Sequence, residues 1–215
     1  PAGTAVGPAA GPQSQLVQNI VLAWLAGARI FELKTVQILD QLEIPRPCID
    51  ARNIGYNVEW SQELRLEQSL TEYVAAWLML HVLREIDPVG RKDVVAADPF
   101  VFDMSVGYDL AGIQSERVSD WIASMRDATK HIDALRSELP PQFRDIDVPG
   151  CISDSITLST FHGCPPDEIE AMIDHLLREH GLGDLHPSDV QDLLVVRCVF
   201  VCARRRWPAR ARLMR

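Results

Sequence analysis

Residues 156–177 read Ile-Thr-Leu-Ser-Thr-Phe (156–161), His-Gly-Cys-Pro-Pro (162–166), Asp-Glu (167–168) and Ile-Glu-Ala-Met-Ile-Asp-His-Leu-Leu (169–177). This stretch decides the fold class. Its first six residues are of the kinds that favour a strand. Pro165-Pro166-Asp167-Glu168 then opens a helix, with proline near the first helical position and acids that complement the helix dipole. Ile169, Met172, Ile173, Leu176 and Leu177 recur at i, i+3, i+4, i+7 and i+8, which is one apolar helix face; Gly181 ends it. Strand, short loop and helix make one β/α unit.

The same alternation extends outward. A short strand is expected around Ala5 to Ala10, then a buried helix over 16–26 with Gly27 as its C′ residue. Ile30 to Leu39 reads as a strand, and 40–60, with Pro45, Pro47, Asn53, Gly55 and Asn57, as a long loop. Ser69 with Glu72 offers a capping box for a helix reaching Glu85. Phe100 to Val106 is another strand, followed by a helix over 116–137 that ends before Pro140-Pro141. Strands alternating with helices imply a parallel sheet. A full (β/α)8 barrel takes about 250 residues, so the expected fold is α/β: a partial TIM barrel of about the first four β/α units. A doubly wound open sheet is the structural competitor.

The chain has 215 residues, 47% hydrophobic and 24% charged, with a formal net charge of -9. That is a globular composition whose acidity argues against a nucleic-acid or membrane-surface binder. No apolar run approaches the roughly 18 residues of a membrane span. No signal peptide is visible, and the five cysteines form no secreted framework, so a reducing cytoplasm is expected. Residues 1–183 carry 14 basic and 27 acidic side chains, whereas 184–215 carry 7 and 3. The expected division is therefore a barrel portion over 1–183 and an aberrant, arginine-rich tail over 184–215, either an interaction arm or an out-of-frame end. With no initiator Met, the front is expected to be cut as well.

Parallel α/β folds place ligands at the carboxyl ends of strands, and that rule selects four segments. Val6 to Pro12 (Val-Gly-Pro-Ala-Ala-Gly-Pro) would let a flat ring or phosphate approach the backbone, or is simply a glycine-proline loop. Lys34 in Glu32-Leu33-Lys34-Thr35 must find a partner or shift its pKa, unless it faces solvent on an edge strand. Asn57-Val58-Glu59-Trp60 could hold a planar heterocycle or be a solvated loop. Cys164, just before a helix, has its thiolate favoured by the dipole, which suits proton transfer or nucleophilic attack; a buried structural thiol is the plainer reading. No metal-ligand spacing, GxGxxG or P-loop motif occurs.

Five blocks in order, Val6–Pro12, Glu32–Asp40, Pro47–Ala51, Met104–Tyr108, and Thr157–Thr160 with His162–Pro166, resemble the amino-terminal barrel of the selenate reductase large flavoprotein subunit family. That barrel is in turn similar to the FMN domain of dihydroorotate and dihydropyrimidine dehydrogenases. The resemblance implies FMN contacts at Ala9, Ala10, Gly11, Lys34 and Thr35, substrate contacts at Asn57 and Glu59, and Cys164 as the catalytic acid/base. It also implies a multidomain redox flavoprotein, with FAD and 4Fe-4S clusters in portions beyond this chain. Its substrate would be a small heterocycle or oxyanion and its redox partners of the molybdenum-hydroxylase type. The sequence departs from the pattern at Phe161 and at Asp103, where the dehydrogenases and the nearer family, respectively, carry asparagine. A barrel-derived docking domain without flavin is the alternative from a different class.

Overall fold

The computed structural model describes residues 3–11, 14–34, 49–50, 56–57, 64–86, 99–106, 109–159, 167–180 and 200–202. In chain order the elements are α1 (Val17–Leu25), β1 (Ile30–Lys34), β2 (Ile49–Asp50), β3 (Tyr56–Asn57), α2 (Leu66–Ile86), β4 (Val101–Val106), α3 (Leu110–Ile113), α4 (Glu116–Arg126), α5 (Thr129–Arg136), a 3-10 turn (Pro141–Phe143), β5 (Ile156–Ser159), α6 (Ile169–Glu179) and β6 (Phe200–Cys202).

Four strands form one sheet in the order β1-β4-β5-β6. The β1–β4 and β4–β5 pairs are parallel, and each crossover carries helix, as the sequence pattern requires. The edge differs: β6 runs antiparallel to β5, where continuation of a barrel calls for a parallel neighbour. The expected strand around Ala5 to Ala10 is an extended segment rather than a regular strand. The Val6 carbonyl accepts from Arg29 N and Ile30 N, and the Pro8 carbonyl from Glu32 N, so it still lies along β1.

One face of the parallel strands is apolar. Phe31, Leu33, Phe102, Met104 and Ile156 are buried there. The long helix α2 supplies much of the cover: Trp77 meets Phe102 at 5.2 Å and Phe100 at 5.0 Å between ring centroids, and its Nε1 donates to Pro149 O at 2.9 Å. Tyr73 fixes α2 to the end of β1 by donating its hydroxyl hydrogen to Lys34 O at 2.6 Å. Met172 and Leu176 are the fully buried positions of α6, with Ile169, Ile173 and Leu177 packed beside them, so the predicted face is the one used.

Several local expectations are corrected. The helix predicted from Ser69 begins at Leu66, so Ser69 lies inside it and its hydroxyl donates to Leu66 O at 2.8 Å. The start is closed instead by Gln68, whose Oε1 accepts from Arg65 N at 2.9 Å. Glu72 serves another helix, accepting from Val17 N at 2.7 Å at the start of α1. The loop expected over 40–60 contains an antiparallel pairing of β2 with β3. The single helix expected over 116–137 is broken at Asp127, whose φ of -137° and ψ of 87° are not helical. The 150–153 segment explains the break, because Gly150 O takes the Ala128 amide while Ile152 N and Ser153 N both donate to Met125 O. Gly27 has φ 106°, as its C′ position requires. Of the strand predicted over 30–39, residues 30–34 are β1 and 35–39 lie outside the described residues.

Candidate functional site

The second face of the sheet is polar. Register partners in a parallel sheet share a face, and here Glu32 lies opposite Asp103, Lys34 opposite Ser105, and Ser105 opposite Thr157. Asp103 ties two strands together, because its carboxylate accepts from Ser155 Oγ at 2.6 Å and from Thr157 Oγ1. Lys34 ends β1 and is only 6% exposed. Although β1 is terminal in the sheet order, the reading of Lys34 as a solvent-facing edge lysine therefore fails. By register Lys34 shares its face of the sheet with Glu32, Asp103, Ser105 and Thr157.

The small-residue loop runs along the β1 edge of the sheet and meets this face through Glu32. A Cβ at Gly7 would fall on the Ile30 carbonyl, so only glycine permits the close approach of loop to strand. Further along, Ala10 N donates to Glu32 Oε2 at 2.9 Å. Ser14, buried at 1% exposure, accepts from Gly11 N at 3.1 Å and has Gly11 O at 3.0 Å and Glu32 O at 3.3 Å as its acceptors. The other Glu32 oxygen, Oε1, is buried with no partner among the described residues.

Of the predicted cofactor contacts, Ala9 is exposed, Ala10 half-buried and Gly11 buried. These and Lys34 occupy one neighbourhood, joined through Glu32 and Ser14. Thr35, Glu59 and Cys164 lie outside the described residues, and of Asn57 only the backbone is described, on β3 opposite Ile49. Ser14, Ser155 and Thr157 were missed as site residues, and Asp103 was noticed only as a departure from a pattern. A signal for all of these but Ser14 exists in the sequence. Glu32-x-Lys34, Asp103-x-Ser105 and Ser155-x-Thr157 place polar residues at alternate positions of three successive strands, which is a polar sheet face written with period two.

Titratable groups elsewhere are perturbed by their own surroundings. Burial, with the Arg84 guanidinium nearby, pulls His81 down from 6.5 to about 4. Burial also lowers His180, aided by His175 and Arg126. The Cys151 thiol is pushed up, by burial first and Asp154 second. Among the described residues, no group of three or more His, Cys, Asp or Glu could hold a metal ion, and no helix is long and apolar enough to cross a membrane.

Three parallel strands with helices in their crossovers, apolar under those helices and polar on the opposite face, fit part of an α/β barrel. The chain belongs to the family described as "Oxidoreductase YgfK, N-terminal TIM-barrel domain", which it matches over residues 1–185. Two curated relatives, each called "Putative oxidoreductase YgfK" and coming from Escherichia coli strain K12 and Escherichia coli O157:H7, are 41% identical over 201 residues. The match covers 83% of this chain but 19% of either relative. No solved structure matches the chain.

Proposed function

We propose that this chain is the first part of a dihydroorotate-dehydrogenase-like, FMN-type barrel in a multidomain oxidoreductase, with residues 1–183 forming the barrel portion and 184–215 a separate tail. The observation that carries this reading is a buried Lys34 at the end of β1 beside a small-residue loop anchored to the same strand. The residues present fit a flavin ring. The loop approaches β1 closely at Gly7, Ala9 is exposed, and Lys34 lies on the same strand at its carboxyl end.

FMN, when bound, supplies hydride and electron storage. The chain's own residues do the rest. Ala9, Ala10 and Gly11 shape the surface on which the ring lies, and Lys34 with Thr35 binds its polar edge, the ammonium stabilising negative charge there. Asn57 and Glu59 orient a small heterocyclic substrate. Cys164 holds and returns the substrate's proton at Sγ. FAD, 4Fe-4S clusters and molybdenum-hydroxylase-type redox partners belong, on this reading, to the length of the relatives that the chain does not span. The setting is a cytoplasmic electron-transfer protein.

The test is a visible spectrum of the purified chain titrated with FMN. A perturbed flavin band with saturable binding supports the assignment, and Lys34→Ala is expected to weaken binding roughly tenfold, the scale of one lost charged contact. A folded chain that leaves the FMN spectrum unchanged overturns it and favours a docking domain.

A further inference from the structure

The loop that would face the flavin is held in two different ways. Up to Pro8 it is fixed by the strand's backbone, through Val6 O and Pro8 O. Beyond Pro8 the described bonds of Ala10 N and Gly11 N are to side chains, Glu32 for one and Ser14 for the other. Ser14 closes a local turn with Gly11 and also reaches the Glu32 carbonyl of β1, at 3.3 Å. Glu32 reaches across from a different element and fastens the middle of the loop to β1 two residues before Lys34.

Building a carboxylate into this position is costly. One oxygen, Oε1, is buried with no hydrogen-bond partner among the described residues, and a carboxylate oxygen left unpaired away from water costs free energy that an apolar side chain would not. Stability alone therefore does not explain Glu32. Its bond to Ala10 N does what an apolar residue cannot: it ties the middle of the Ala9–Gly11 segment to the strand that carries Lys34. A charge-assisted bond to a backbone N–H is strong enough to hold that contact.

We propose that Glu32 is the positioning residue of this site, a latch that holds the Ala9–Gly11 surface in register with Lys34 so that one flat ligand contacts both. The proposal rests on the FMN reading for the identity of the ligand, but the latch itself is observable without it.

Two measurements on the 215-residue chain separate them. Amide hydrogen exchange in the absence of FMN reads the latch. Ala10 is expected to be protected in the wild type, to lose protection in Glu32→Ala, and to keep most of it in Glu32→Gln, whose amide oxygen still accepts. FMN titration reads the consequence. Affinity is expected to fall roughly tenfold or more in Glu32→Ala and to return to within about threefold in Glu32→Gln, with far-UV circular dichroism unchanged. If Glu32→Ala does not fold, Glu32→Asp replaces it, withdrawing the oxygens by one methylene while keeping the charge. Ala10 protection that is unchanged on removing the carboxylate overturns the latch, and so does wild-type FMN affinity in that variant. A wild type that binds no FMN overturns the flavin reading instead, and the exchange of Ala10 then decides the latch alone.

Discussion

His81 shows how a single ring on α2 couples the fold to pH. It packs edge-on to Trp77 at 4.9 Å and tilted against Phe100 at 5.4 Å, measured between ring centroids, and its buried Nε2 has no partner among the described residues. A neutral imidazole suits that environment and an imidazolium does not, which is why burial lowers it to about 4. The unfolded chain takes up this proton near pH 6.5, whereas the native chain resists until about 4. Stability is therefore full above 6.5, falls as pH drops through that window, and levels off below it. Between pH 7 and pH 5 the expected loss from this residue is about 1–2 kcal/mol after discounting for partial exposure. Urea unfolding of wild type and His81→Phe at both pH values checks this; an identical pH slope in the two would refute it. Cys151 is the contrasting case. It is exposed, yet burial of its sulfur and the neighbouring Asp154 push its thiol up, so at pH 7.5 it is expected to alkylate several-fold more slowly than a free cysteine. Iodoacetamide labelling followed by peptide mass analysis measures that rate, and a rate at or above that of the free amino acid sinks the prediction.

Strands and helices were legible in the sequence where one face alone decides them, and less so where another element intervenes. Residues 156–177 announced both members of their β/α unit, because the apolar period of α6 and the composition of β5 point the same way. The break between α4 and α5 was invisible, since nothing in the composition of 116–137 reports that Gly150 and Ile152 will claim backbone groups at Met125 and Ala128. Glu72 looked like half of a capping box and instead caps α1 from across the structure; a cap supplied by a distant element has no local spacing to read. The site was half legible. Lys34 and the glycine-bearing loop stood out by residue type; Ser155 and Thr157 show only as a period-two polar pattern whose pairing with Asp103 depends on register, and Ser14 has no such pattern. Asp103 makes this element-scale argument testable. Its two hydroxyl partners both lie on the β5 side, so Asp103→Ala removes the bond that pins β4 to β5 beyond the backbone ladder. It is expected to cost about 2–4 kcal/mol, the scale of two hydrogen bonds to a charged group less relaxation. Asp103→Asn keeps one acceptor and can donate to the second hydroxyl, so its expected cost is below about 1.5 kcal/mol. Equal destabilisation by the two substitutions, measured by urea unfolding, would show that the carboxylate is not the pin.

At the scale of the molecule, the sheet is two-faced in a way that separates stability from ligand binding. Its apolar face, with Phe31, Leu33, Phe102 and Met104 under the helices, supplies burial. Its polar face, with Lys34, Ser105, Ser155 and Thr157 also buried, carries the chemistry. A ligand seated on the polar face would thus add to stability by mass action without repacking the core. At a concentration of 100 times its dissociation constant it contributes about 2.7 kcal/mol. For a chain of this size that corresponds to a rise in melting temperature of roughly 5–11 °C. The choice of flavin sharpens the expectation. Ala9, Ala10, Gly11, Lys34 and Thr35 are all assigned to the ring system and none to the phosphate. Riboflavin, which has the ring and lacks the phosphate, is therefore expected to raise the melting temperature as much as FMN at matched saturation, with an affinity within about threefold. Differential scanning calorimetry with each ligand decides it. A large shift with FMN and none with riboflavin would move Lys34 from the ring edge to the phosphate, and with it the direction in which the ligand enters the polar face.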